Sequence, residues 1–342
     1  MSLVITATGM GSWPGTDPRE AIVTVRDLLI GDASRLHLPY LPETPARGPG
    51  ADVIGRAAGL LTELPVELYP SGWRLAGRPG RDLARTGSFW RQDLDELTEA
   101  YDGYRGPLKV AVAGPWTLAS SIELPGGERA IVDLGAAREI TESLADGVAS
   151  LLADLSRLLP GVTVILQLDE PSLPAVLTGT IPTASGYGRL RSVDAQTTVQ
   201  GLQLVIEQVR AAGAAGTVIH CCDRAAPIPV LRQAGAQALS LDLTGASAAR
   251  WESVAATLEA GTQVYAGLIS TDAGTAEPPV AAIAREVLDQ ADRVGIEPRH
   301  VTDLVVAPTC GLAAATRDAA LGIQRATIDL AAELTELTEL AG

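Results

Sequence analysis

Soft metal-binding side chains are scarce in this sequence: 342 residues hold three cysteines and three histidines. So few cysteines make no disulfide framework, which excludes a stapled secreted scaffold and fits a reducing compartment. Basic clusters are missing too. At a net charge of −15, the chain lacks the electrostatic footprint of a nucleic-acid binder and has no attraction for anionic membrane surfaces. No apolar run approaches the roughly 20 residues of a membrane span. The first residues hold neither the basic segment nor the long apolar run of a signal peptide, so a cytoplasmic protein is expected. What is present builds a core: 46% of residues are hydrophobic and 20% charged, ample material for a packed interior and too apolar for disorder.

Short apolar runs alternate with helical sequence along the whole chain. Strands are expected at residues 3–10, 64–69, 108–113, 162–168, 217–219, 238–241, 263–269 and 303–306, most followed by amphipathic helix. Runs that are apolar throughout suit a parallel sheet buried on both faces. Eight such units predict one domain over residues 1–342, a closed (β/α)8 TIM barrel. Asp17 and Pro18 predict a helix start, and Ser192 is read as the cap of a helix running to about residue 212. The Pro-rich stretch 38–49 is too long for a tight turn and is expected to lie over the surface or over a site. The Gly- and Arg-rich stretch 70–87 reads as loop.

In a barrel the site lies at the C-terminal ends of the strands. Ser12, Asp169, His220, Cys222, Asp242 and Cys310 all fall at or just past those ends. His220 and Cys222 stand two apart and face the same way, while Cys221 faces the other. His220, Cys222 and Cys310 supply three soft ligands, the pattern of a zinc site with an open fourth position. Asp242 reads either as a further ligand or as the partner that orients His220. Asp169-Glu170-Pro171 offers carboxylates for a substrate amine, or a helix cap. The backbone N–H groups of Gly11-Ser12-Trp13-Pro14 could cradle a carboxylate. Trp116 reads as packing.

Six stretches occur in a recognisable order: Gly11-Ser12-Trp13-Pro14, Gly114-Pro115-Trp116-Thr117-Leu118, Gln167-Leu168-Asp169-Glu170-Pro171, His220-Cys221-Cys222, Leu239-Ser240-Leu241-Asp242 and Pro308-Thr309-Cys310-Gly311-Leu312. The set resembles the C-terminal catalytic domain of cobalamin-independent methionine synthase, over essentially the entire chain. The resemblance implies a zinc-dependent methyltransferase that converts homocysteine to methionine, with Zn²⁺ on His220, Cys222, Asp242 and Cys310. It implies Asp169 for the homocysteine amine and the Gly11-Ser12 backbone for its carboxylate, with Glu67 a weaker candidate for the amine. Such chemistry needs the metal, because a thiol of pKa about 8.5 is only a few per cent ionised at neutral pH and coordination deprotonates it.

The sequence departs from the family pattern on one side. Asp242 stands where the family usually has Glu. Ser270-Thr271-Asp272 stands where a His is expected, and Ala175 where a Glu is. A single barrel is expected, where the folate-dependent enzymes carry a second, N-terminal one. Since these losses fall on the donor side, the expected methyl donor is a methylated corrinoid protein or another small donor rather than methyltetrahydrofolate polyglutamate. The runner-up is a zinc-dependent thiol alkyltransferase of the epoxide and coenzyme M type. A metal-free decarboxylase of the uroporphyrinogen type would want basic residues, and a zinc-binding protein without activity is the remaining alternative.

Overall fold

The computed structural model describes residues 5–31, 37–272 and 278–341. β1 (Thr6–Ala7) and α1 (Pro18–Ile30) come first, then α2 (Val53–Ala58), β2 (Val66–Tyr69), β3 (Gly72–Leu75) and α3 (Arg81–Ala100). Regular alternation follows: β4 (Gly106–Ala113), α4 (Pro115–Ser121), α5 (Leu134–Leu158), β5 (Val162–Asp169), α6 (Leu173–Thr178), α7 (Ala195–Ala211) and β6 (Gly216–Cys221). The rest is α8 (Ile228–Gln233), β7 (Ala238–Asp242), α9 (Ala248–Glu259), β8 (Gln263–Ile269), α10 (Val280–Arg293), α11 (Pro298–Val301), β9 (Leu304–Pro308) and α12 (Arg317–Ala341). No helix among the described residues is long and apolar enough to cross a membrane.

Seven strands form one parallel sheet in the order β1-β9-β8-β7-β6-β5-β4. Strands β4 to β9 each pair with the next in sequence, and the first strand pairs with the last. A seam remains between β1 and β4, where residues 38–41 run. Leu38 N donates to Ala7 O at 2.9 Å, Leu41 N to Lys109 O at 2.9 Å, and Lys109 N to Pro39 O at 2.9 Å. Tyr40 makes one isolated parallel bridge to Lys109. Pro39 and Pro42 have no N–H to give, so this segment bonds to both edges without becoming a regular strand.

Seven of the eight expected strands therefore lie in the sheet; the start of the first, before Ile5, lies outside the described residues. The expected second strand does not join it. Residues 66–69 fold back on 72–75 as an antiparallel hairpin, because Pro70 and Ser71 turn the chain and Gly72 takes φ +136°. Part of the predicted loop 70–87 is thus β3, and its last residues, from Arg81, already belong to α3. The cap of α7 is Asp194, which accepts from Thr197 N at 2.9 Å, rather than Ser192. Asp17 caps α1 as expected, accepting from Glu20 N.

Close approaches pin the helices to the sheet. At Gly147 on α5 an added Cβ would lie 1.8 Å from the Leu60 carbonyl oxygen. Gly322, at an exposed position of α12, has open space around it. Gly147→Ala should lower stability by about 1–3 kcal/mol through overpacking, while Gly322→Ala should raise it by about 0.5–1 kcal/mol through helix propensity. Chemical denaturation of the two variants beside the wild type checks both signs.

Candidate functional site

Register sets the inner face of the sheet. His220 on β6 lies beside Asp169 of β5 and Ser240 of β7. Cys221 faces away and is fully buried, and burial pushes its thiol up to about 12. It is a packing residue. Cys222, just past the strand, returns to the inner side. Cys310, past the end of β9, joins it from across the curled sheet. The ligand atoms of His220, Cys222 and Cys310 lie within 4.8 Å of one another; tetrahedral zinc would hold such donors about 3.5–3.8 Å apart.

The Cys310 loop is tied down on both sides. Leu312 N donates to Ser12 O at 2.9 Å, Thr309 N to Ile269 O at 2.9 Å, and Ala313 N to Ser12 Oγ at 3.3 Å. A Cβ at Gly311 would sit 2.1 Å from Ser12 Oγ, so only glycine admits this contact.

The tautomer of His220 follows from its partners. Ser240 Oγ donates to Met10 Sδ at 3.3 Å, so its oxygen accepts from His220 Nδ1 at 3.0 Å. The network thus assigns the proton to Nδ1 and leaves the Nε2 lone pair as ligand. A hydrogen bond from the Cys222 thiol, with the nearby His220 ring adding to it, holds the Cys310 thiol down at about 4. Cys222, which donates to that sulfur, is correspondingly held in its protonated form. One free imidazole lone pair, one thiolate and one thiol sharing a proton form a donor set that fits zinc.

The acidic pair after β5 splits. Glu170 turns away and is buried; its Oε1 accepts from Trp116 N at 2.9 Å and its Oε2 from Thr117 N and Thr117 Oγ1, each at 2.8 Å. It caps α4, although burial still pushes it up to about 7. Trp116 is packing, its indole N–H bonded to Thr198 O. Asp169 faces the cleft, and its Oδ1 accepts from Gln167 Nε2 at 2.7 Å. Burial raises its pKa, against the nearby His220 and the Gln167 bond.

A cleft of about 300 Å³ opens above these groups, lined among others by Ser12, Asp169, His220, Cys222 and Cys310. Gly11 lies directly behind it, between the lining residues Met10 and Ser12, with its carbonyl accepting from Glu43 N at 3.1 Å. Two expected residues stand apart. Asp242 is not in the ligand cluster: its Oδ1 accepts from Thr244 N at 2.9 Å and Thr244 Oγ1 at 2.6 Å, and its Oδ2 lies 3.7 Å from Arg224 Nε. A side chain this short is satisfied within its own turn. Glu67 pairs with Arg74 in the hairpin, away from the cleft.

Glu43 also lines the cleft. It is 3% exposed, and its Oε1 accepts no hydrogen bond, with Arg56 Nε 3.5 Å away. Burial pushes it up to about 7, with Arg56 opposing and Asp169 adding to the shift. The buried Glu43 and the half-buried Asp169 thus bring two carboxylates to one small cleft, the first with an oxygen that accepts no hydrogen bond. The available signal was a carboxylate between Pro42 and Pro45, in the stretch expected to lie over a site.

Ser240→Ala should lower zinc affinity about 10–100-fold by freeing the His220 ring, as measured by competition with a chelator. Glu43 gives a pH-dependent expectation. Its folded pKa of about 7 lies above the ordinary 4.5, so its contribution to stability is full below about 4.5 and is lost as pH rises through about 7. Glu43→Gln should therefore raise the melting temperature relative to wild type at pH 8 and not at pH 4, in the unliganded protein.

Comparisons with known proteins follow the same lines. Residues 105–333 match the family model described as "Cobalamin-independent synthase, Catalytic domain". No curated protein matches the chain. Among solved structures, a B12-independent methionine synthase from Shewanella sp. W3-18-1, in complex with selenomethionine, is 14% identical, with 99% of this chain and 100% of that chain covered and a TM-score of 0.63. At that identity the likeness shows a common fold. A protein from Aquifex aeolicus VF5, 11% identical over 72% of this chain and 96% of its own, has a TM-score of 0.22, too low to bear on either question. The family match spans well over half of the sequence, and the chain belongs to the cobalamin-independent synthase catalytic-domain family.

Proposed function

We propose that this chain is a zinc-dependent methyltransferase that moves a methyl group to the thiol of homocysteine. One observation carries the reading: the His220, Cys222 and Cys310 donor atoms, within 4.8 Å of one another, share a small cleft with the carboxylates of the buried Glu43 and the half-buried Asp169. A thiol ligand needs the first group, and an amino-acid ammonium needs the second.

Zinc bound there supplies the charge that keeps a substrate thiol ionised at neutral pH. His220 presents Nε2, fixed through Ser240. Cys222 and Cys310 complete a three-residue set, so the fourth position falls to the substrate thiol rather than to Asp242. Glu43 and Asp169 hold the ammonium group, whose arrival lowers the cost of burying both charges. The Gly11-Ser12 backbone lies on the side left for the substrate carboxylate.

The donor reading rests on charge. Among the described residues the lining includes the acidic Asp52, Glu43 and Asp169 and no Lys or Arg, a poor surface for a polyglutamate tail. A methylated corrinoid protein or another small methyl donor fits better. The same carboxylates disfavour a sulfonate thiol such as coenzyme M, which has no ammonium. We further propose that residues 1–342 form one domain, a closed barrel in which residues 38–41 take the second strand position; their hydrogen bonds to β1 and β4 support this.

Metal content tests the reading. Wild-type protein should hold one zinc per chain, Cys310→Ser should lose it, and X-ray absorption should show one added sulfur ligand when homocysteine is titrated in. No zinc in the wild type, or no change on adding homocysteine, overturns the proposal.

A further inference from the structure

Lys109 is the only lysine among the 26 basic residues of the chain. It is also the basic residue sealed beneath the cleft, with no exposed surface, and its ammonium lies 5.5 Å from the Tyr40 ring centroid. Its Nζ donates to Gln167 Oε1 and to Met10 O at 3.3 Å. On its other side Gln167 donates through Nε2 to Met10 O at 2.7 Å and to Asp169 Oδ1 at 2.7 Å. Burial pushes Lys109 down to about 7, with Asp169 and Glu43 opposing, so a cation here stands against a solvation penalty.

An amide can face either way, and the two ends are near-equal in shape. An ammonium group donates and never accepts, so Lys109 selects the orientation with Oε1 toward itself. The reverse orientation would set two donors against each other at Lys109 and two acceptors at Asp169 and Met10 O. The selected one keeps an N–H on Asp169 Oδ1 and leaves Oδ2 for a ligand. We propose that Lys109 is a positioning residue for the substrate ammonium group, acting through the Gln167 amide to hold the Asp169 carboxylate in its receiving geometry. This rests on the proposed binding of an amino-acid thiol.

The test compares homocysteine with 4-sulfanylbutanoate, which has the same thiol and carboxylate but no amine, by calorimetric titration of the zinc-loaded chain. The variants are Lys109→Met, Gln167→Met and the double variant. The double variant replaces both partners by apolar groups of similar length and is the one expected to fold best. Wild type should prefer homocysteine. Each single variant should lose roughly tenfold of that preference, with affinity for 4-sulfanylbutanoate unchanged, and the double variant should lose no more than either single one. Equal losses for both thiols would mark a structural role and overturn the inference. So would a full preference for homocysteine in the double variant, which decides the matter if the single variants do not fold. A wild type that binds both thiols alike instead overturns the amine reading of the site, and this inference with it.

Discussion

Met10, at the end of the first strand, holds two hydrogen-bonded systems at once. Its carbonyl accepts from Lys109 and Gln167, and its thioether accepts from Ser240. The first system ends at the Asp169 carboxylate, the second at the His220 ring. The orientation of the His220 ring and that of the Asp169 carboxylate therefore share one residue. Both depend on the pairing of β1 with β9, since that pairing places Met10 beneath the cleft. A parallel sheet makes this economical: every strand ends on the same side, so six distant stretches of sequence reach one surface.

The motifs interlock as well as assemble. Glu170 receives the N-terminal N–H groups of α4, and a Cβ at Gly114 would lie 2.4 Å from its Oε1. The glycine of Gly114-Pro115-Trp116 and the glutamate of Asp169-Glu170-Pro171 therefore require each other. Ser12 and Gly311 make a second such pair, which holds the Cys310 loop. Asp169 and Cys310 face the cleft, and their neighbours Glu170 and Gly311 hold the frame. Glu43 is the opposite case: a buried carboxylate with an orphaned oxygen weakens the empty protein, and a cationic ligand would supply what it lacks.

Much of this was legible in order along the chain. The apolar runs at 108–113, 162–168 and 263–269 needed only their continuous burial to be read as inner parallel strands. The alternation rule alone separated Cys222 from Cys221. Three features were not legible. The run at 64–69 has strand composition, but composition cannot tell a sheet strand from a hairpin arm, and the Pro70-Ser71 turn decided it. Residues 38–41 carry Pro39 and run into Pro42, which argues against a strand, yet they occupy the seam between β1 and β4 because both edges offer partners there. Asp242 sits at a strand end like the true cluster members, but its short carboxylate is satisfied by Thr244 before it can reach them.

By itself the sequence determined the α/β class, most of the strands of the parallel sheet and which soft side chains end them, because periodicity and residue chemistry are local properties. Only the tertiary structure decided which of them meet. The curl of the sheet brings Cys310 across to His220, the seam places Glu43 opposite Asp169, and burial beneath the cleft gives the single lysine its partner. Those outcomes depend on distances between residues far apart in sequence, and a chain's local pattern does not encode such distances one residue at a time.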